Sequence, residues 1–123
     1  VVAHSPDTIA TAATPLKRLV GKRMNSVVLI LDYTQFAFDG AGLTAVTSPV
    51  VEAGSHKLQW KEPGYFDTLC RLAGKVVTSA EIVPEFLALG FEEGSTLRIS
   101  LRDEDYEAAE AVLFKDDSGW WVL

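Results

Sequence analysis

LKRLVGKRMNSVVLILDYTQFAF, residues 16–38, returns 53 positions later as LCRLAGKVVTSAEIVPEFLALGF, residues 69–91. Seven of the 23 aligned positions are identical: Leu16/Leu69, Arg18/Arg71, Leu19/Leu72, Gly21/Gly74, Lys22/Lys75, Ser26/Ser79 and Phe38/Phe91. Leu29/Ile82, Ile30/Val83, Asp32/Glu85 and Tyr33/Phe86 keep their chemistry. A unit written twice in one chain constrains architecture, because both copies must bury equivalent residues in equivalent ways. It constrains activity far less.

Within each copy the apolar period changes once. Leu16, Leu19 and Val20 form a helical stripe, matched by Leu69, Leu72 and Ala73. Thr14-Pro15 reads as an N-cap followed by a first-turn proline, with Asp67 at the equivalent cap of the second helix. Gly21 and Gly74 read as left-handed C-terminal caps. Beyond each Gly-Lys the pattern alternates, as strands do. Met24/Val77, Val27/Ala80 and Leu29/Ile82 form one apolar face, followed by Phe36/Leu89 and Phe38/Phe91 on a second strand. Asp39-Gly40 and Glu92-Glu93-Gly94 mark tight reversals, and Leu43, Ala45 and Thr47 answer Leu97, Ile99 and Leu101 on a third.

Outward from the repeat, residues 1–13 are small and polar without sustained period and read as an arm. The expected organisation is one domain: arm 1–13, first unit 14–48, connector 49–66, second unit 67–102, and an acidic loop with hairpin over 103–123. The connector holds one short candidate strand, His56 to Trp60, before the Pro63-Gly64 turn. Asp103 to Ala111 reads equally as helix or acidic loop. The end reads as a hairpin, Ala111 to Phe114 and Trp120 to Leu123, around Asp116-Asp117-Ser118-Gly119. The expected class is therefore α+β, mainly antiparallel β: two tandem helix-plus-three-strand units with pseudo-two-fold symmetry and a C-terminal β-hairpin.

The chain has 123 residues, 48% of them apolar, enough to build a core. A net charge of −6 disfavours nucleic acid, whose phosphates require Lys and Arg. No apolar run reaches the length of a membrane span, and no signal-peptide pattern opens the chain. The start at Val1 reads as a processed chain, and the compartment as cytoplasmic by default. Cys70, the single cysteine, has no intramolecular disulfide partner and reads as a buried or inert thiol.

The two copies disagree on the face opposite the core. The second presents Glu81, Arg98, Ser100 and Arg102; the first presents Val28, Thr44, Val46 and Ser48, joined by Ile30. A soluble chain covers such a row. The arm, the hairpin or a second chain could do so, with its own chain placed slightly ahead of a dimer. Of the adjacent Trp120 and Trp121, strand alternation turns one outward. Val28, Ile30, Val46 and Trp121 are the candidate interface. Tyr33, Trp60 and Phe86 are the candidate lining of a pocket between the units.

Catalytic and metal chemistry finds little support. His4 and His56 are isolated, and neither belongs to an HxH or HExxH arrangement. Asp103-x-Asp105-x-Glu107 imitates a calcium loop, but Ala108 and Phe114 occupy the positions of its glycine and glutamate. Gly21-Lys22 and Gly74-Lys75 end helices, whereas phosphate loops begin them. No Ser or Cys stands in a nucleophile motif. Asp32 and Glu85 match across the repeat and could meet near a two-fold axis for acid–base work. No catalytic residue, metal ligand or cofactor is assigned.

Leu16-x-x-Leu19-x-Gly21-Lys22, Asp32-Tyr33-x-Gln35-Phe36-x-Phe38, and Glu104-Asp105-Tyr106 followed by Glu110-Ala111 resemble an uncharacterised family of small bacterial proteins, from about residue 15 onward. Members of that family often carry glycine or proline just after the tyrosine, where Ala108-Ala109 stand here. That departure leaves helix and loop open for 103–111. The resemblance implies no reaction, ligand or catalytic residue. Three functions stay in view: an interaction protein (a homodimer or inhibitor-like partner), a small-ligand binder, or an enzyme using Asp32 and Glu85.

Overall fold

A computed structural model describes residues 6–123. The class is α+β with antiparallel sheets. In order the elements are α1 (Pro6–Lys17), β1 (Met24–Ile30), β2 (Tyr33–Phe38), β3 (Ala41–Ala45), β4 (Val50–Ala53) and β5 (His56–Leu58). Then come α2 (Tyr65–Cys70), β6 (Val77–Ile82), β7 (Phe86–Phe91), β8 (Thr96–Ser100), β9 (Val112–Asp116) and β10 (Gly119–Val122). Among the described residues no helix is long and apolar enough to cross a membrane.

Two five-stranded sheets result, ordered β1-β2-β3-β9-β10 and β5-β4-β8-β7-β6. Each contains one expected meander, and each is widened by a hairpin from the other half of the chain. β9–β10 pairs onto β3, while β4–β5 pairs onto β8. The terminal hairpin is thus present as read. The connector holds a second hairpin, because Val50-Val51-Glu52-Ala53 is a strand as well as the segment after Gly54-Ser55.

The first helix departs from expectation. It begins at Pro6, so residues 6–13 are helical, and His4 lies outside the described residues. Ala12, Leu16 and Leu19 are buried at helical spacing along one face. Pro15 stands inside this helix and cannot donate, so Thr14 is not its N-cap. The chain then tightens into i→i−3 bonds: the amides of Arg18, Leu19 and Val20 donate to Pro15, Leu16 and Lys17 at 3.0–3.1 Å. Asp67 likewise lies within the first turn of α2, whose N-cap is Gly64. Its carboxylate meets Arg71 at 2.8 Å on an exposed face, worth a few tenths of a kcal/mol. Cys70 is exposed, not buried.

Both helices end on glycines at positive φ, Gly21 at +89° and Gly74 at +93°. There the halves meet. Arg23 and Val76 form an antiparallel bridge. Around it Gly21 donates to the carbonyl of Val77 at 2.8 Å and Gly74 to that of Met24 at 2.7 Å. Met24 donates to Lys75 and Val77 to Lys22, both at 2.9 Å. α1 packs against β6, and α2 against β4 and β1.

Each first strand bulges at one position, between Met24 and Ser26 and between Val77 and Ser79. The three-residue steps from Met24 to Val27 and Val77 to Ala80 come from these bulges. Gly90 lies opposite Ser79, and an added Cβ would fall within clash distance of Ser79 Oγ. In the other sheet Ala37 occupies the matching place opposite Ser26. Gly90→Ala is therefore expected to change stability by less than about 1 kcal/mol once the Ser79 hydroxyl rotates. Urea unfolding should find Gly90→Ala with Ser79→Ala more stable than Gly90→Ala alone.

The core lies between the sheets and helices. Phe36, Leu43, Leu87, Leu89, Leu97 and Ile99 are all at most 1% exposed. Tyr65 is fully buried and donates its hydroxyl to the carbonyl of Pro49 at 2.6 Å. Burial pushes its phenol from an ordinary 10.0 up to about 12. The fold holds the neutral form, so this contribution is complete below pH 10 and vanishes as pH rises through about 12. Denaturant midpoints followed up to that pH are expected to fall in the native chain. Tyr65→Phe, starting lower for want of the Pro49 hydrogen bond, should fall less.

Candidate functional site

Strand register determines what the outer face of each sheet carries. Across the first sheet Val28, Gln35, Thr44, Leu113 and Val122 stand side by side. The next row is Ser26, Ala37, Gly42, Lys115 and Trp120. Trp120 is 70% exposed, Val122 48% and Val28 44%. The matching rows of the second sheet are Glu81, Ala88, Arg98 and Val50, then Ser79, Gly90, Thr96, Glu52 and Lys57. In these rows the second sheet is charged, while the first carries a single charge, Lys115.

Nothing among the described residues covers the apolar face. Of the three covers the sequence leaves open, the described part of the arm forms α1 and packs on β6, in the other sheet, and the hairpin extends the first sheet instead of closing over it. Residues 1–5 of the arm lie outside the described residues.

The four candidate interface residues divide. Val28 stands on the outer face. Ile30 and Val46 are half-buried and line a groove at the end of the sheet. Trp121 turns inward and stacks on Phe114 with centroids 5.6 Å apart. The Arg18 guanidinium lies 5.8 Å from its ring centroid and pairs with Asp116 at 2.8 Å. Trp120 is the exposed member of the pair, because β10 starts at Gly119 with an inward residue at 121.

The centre of the face is a trough of about 330 Å³ over Ala37 and Gly42. Val28 and Gln35 bound it on one side, Lys115 and Trp120 on the other, and no carboxylate lines it. Among the described residues Lys115 has no ion pair.

The expected pocket is only partly assembled. Tyr33 and Trp60 line one groove with Asp32 and Glu107, about 130 Å³ in volume. It adjoins a second of about 390 Å³ that holds Arg102 and Asp105. Phe86 is elsewhere: its strand buries Leu87, Leu89 and Phe91, which puts Phe86 on the outside under the Arg98 guanidinium, 4.4 Å from the ring centroid. Trp60 instead packs edge-on against Tyr65 and Phe66 at 5.9 and 5.3 Å. Asp105 is tied to Ser100 and to Arg102.

Asp32 and Glu85 are not brought together. Each sits in the turn after the first strand of its meander, and those strands leave the Arg23–Val76 bridge in opposite directions. Among the described residues no group of three His, Cys, Asp or Glu gathers as metal ligands. Compared with protein-family models, with curated proteins and with solved structures, the chain matches none.

Proposed function

We propose that the chain is a non-catalytic binding protein, built from two copies of one helix-plus-meander unit about an approximate two-fold axis, which engages another protein through the outer face of its first sheet. The symmetry reading is supported by the hydrogen bonds at the junction, each of which has a counterpart displaced by 53 residues in both partners. It is supported again by Val27 and Leu29 lying in β1 as Ala80 and Ile82 lie in β6. One observation carries the functional reading: a single scaffold wears a charged outer face on one sheet and, on the other, an apolar one that no described residue covers. The fold does not require Val28 and Thr44 there, since Glu81 and Arg98 stand at the matching places of the second sheet. Such a patch suits a homodimer or an inhibitor-like contact.

Val28→Glu with Leu113→Glu places two carboxylates on that face without touching the core. Proteins co-purifying with the native chain, or its own self-association in light scattering, are expected to be lost in the double variant. They should persist in a Val50→Glu control on the opposite sheet. Identical retention by all three proteins would end the reading. A second reading, a small-ligand binder, is favoured by the convergence of Tyr33 and Trp60 on one groove with Asp32.

A further inference from the structure

Gly42 has no structural reason to be glycine. It lies in β3, the central strand of its sheet, outside the positive-φ region, and an added Cβ would meet nothing within 4 Å. A glycine inside a strand weakens it and often marks a bulge, a tight bend or a close approach by a ligand or another backbone. The pairing of Gly42 on both sides is regular, so no bulge accounts for it. The equivalent residue of the other sheet, paired in the same way with the crossing hairpin, is Thr96. Trp120 does not shield the gap, since no indole atom comes within 4 Å of the Cβ position. The trough is open space, held open by a missing side chain at a cost to the strand.

We infer that this trough is an anchor pocket for a protein partner that inserts one flat apolar side chain over Gly42 and Ala37 with an acidic residue beside it. The inference rests on the proposed binding face and names the chemistry of its partner. Trp120 offers an exposed indole for an aromatic ring to pack against. Lys115 is the single charge on the wall and among the described residues carries no ion pair. A carboxylate next to the anchor complements it, and a lysine or arginine there is repelled. The breadth of the apolar face around the trough, from Val28 to Val122, selects a polypeptide over a free small acid.

The test uses three peptides, acetyl-Glu-Phe-Glu-amide and its Gln and Lys counterparts, titrated into the labelled full chain by amide NMR. The acidic peptide is expected to shift resonances of Ala37, Gly42, Lys115 and Trp120, and to bind about threefold tighter than the lysine peptide, a margin typical of one exposed ion pair. Added salt should erase that margin. Gly42→Val should abolish the shifts while keeping the fold, and Lys115→Met should make the three peptides equal. Equal binding by the native chain, or undiminished binding by Gly42→Val, overturns the inference. So does 3-phenylpropanoate binding tighter than the acidic peptide, which would name a free acid as occupant, or sedimentation as a dimer that buries Trp120. If no peptide binds while the Val28→Glu/Leu113→Glu result holds, the anchor is wrong and the face stands. If that result fails too, the face itself is wrong.

Discussion

A variant ending at residue 111 is expected to lose cooperative unfolding altogether. β9 is the neighbour of β3, so removing residues 112–123 turns a central strand of the first sheet into an edge. The cut also removes Val112, Phe114 and Leu123, each at most 4% exposed, together with half-buried Trp121. At about 1.5–3 kcal/mol for each large apolar chain, the loss is roughly 6–12 kcal/mol, an upper figure measured against an extended unfolded chain. A domain of this size has about 5–15 kcal/mol in all. Backbone partners go as well. Ala111 donates to the carbonyl of Leu123 at 2.6 Å, and Leu123 to Val112 at 2.9 Å. Calorimetry and amide dispersion measure this; a sharp transition within a few degrees of the native chain would contradict the exchanged-hairpin architecture.

Leu19→Ala and Leu72→Ala are each expected to cost about 3–5 kcal/mol, the range for cavities that cannot collapse. Leu19 is fully buried and Leu72 is 1% exposed. Each sits in the tightened turn that delivers its helix to the central bridge. The carbonyl of Leu19 accepts from Lys22 at 2.9 Å, and that of Leu72 from Lys75 at 3.0 Å. On the two-fold reading these are one position occurring twice, so their costs should agree to within about 1 kcal/mol. Urea midpoints with unchanged slopes would measure both. Costs differing by several kcal/mol would mean that the halves share a fold without sharing energetics.

The meanders were legible because their cores repeat: Phe36, Phe38, Leu89 and Phe91 announce alternation within a few residues, and the glycines at 40 and 94 announce the reversals. The crossing hairpins were not. Val50-Val51-Glu52-Ala53 is too short to display a period, and which sheet a hairpin joins is a tertiary choice that no local pattern records. The start of the first helix was misplaced because Ala12, buried on its inner side, is too small to register as apolar, and because Pro15 imitates a first-turn residue. Phe86 and Trp121 were misplaced by parity alone. A strand that buries Leu87 must turn Phe86 out, and one that starts at Gly119 turns Trp121 in. The contrast between the outer faces was legible in Val28 against Glu81, while the trough was not, since a glycine near a turn looks like part of the turn.

The reciprocal crossing of hairpins also bears on synthesis. The first meander cannot acquire its neighbour β9 until nearly every described residue has left the ribosome, so the early half must wait unfinished, its apolar face bare. Pairings this remote in sequence make for slow closure and a long window in which holdase chaperones, or neighbouring nascent chains, compete for the exposed strand.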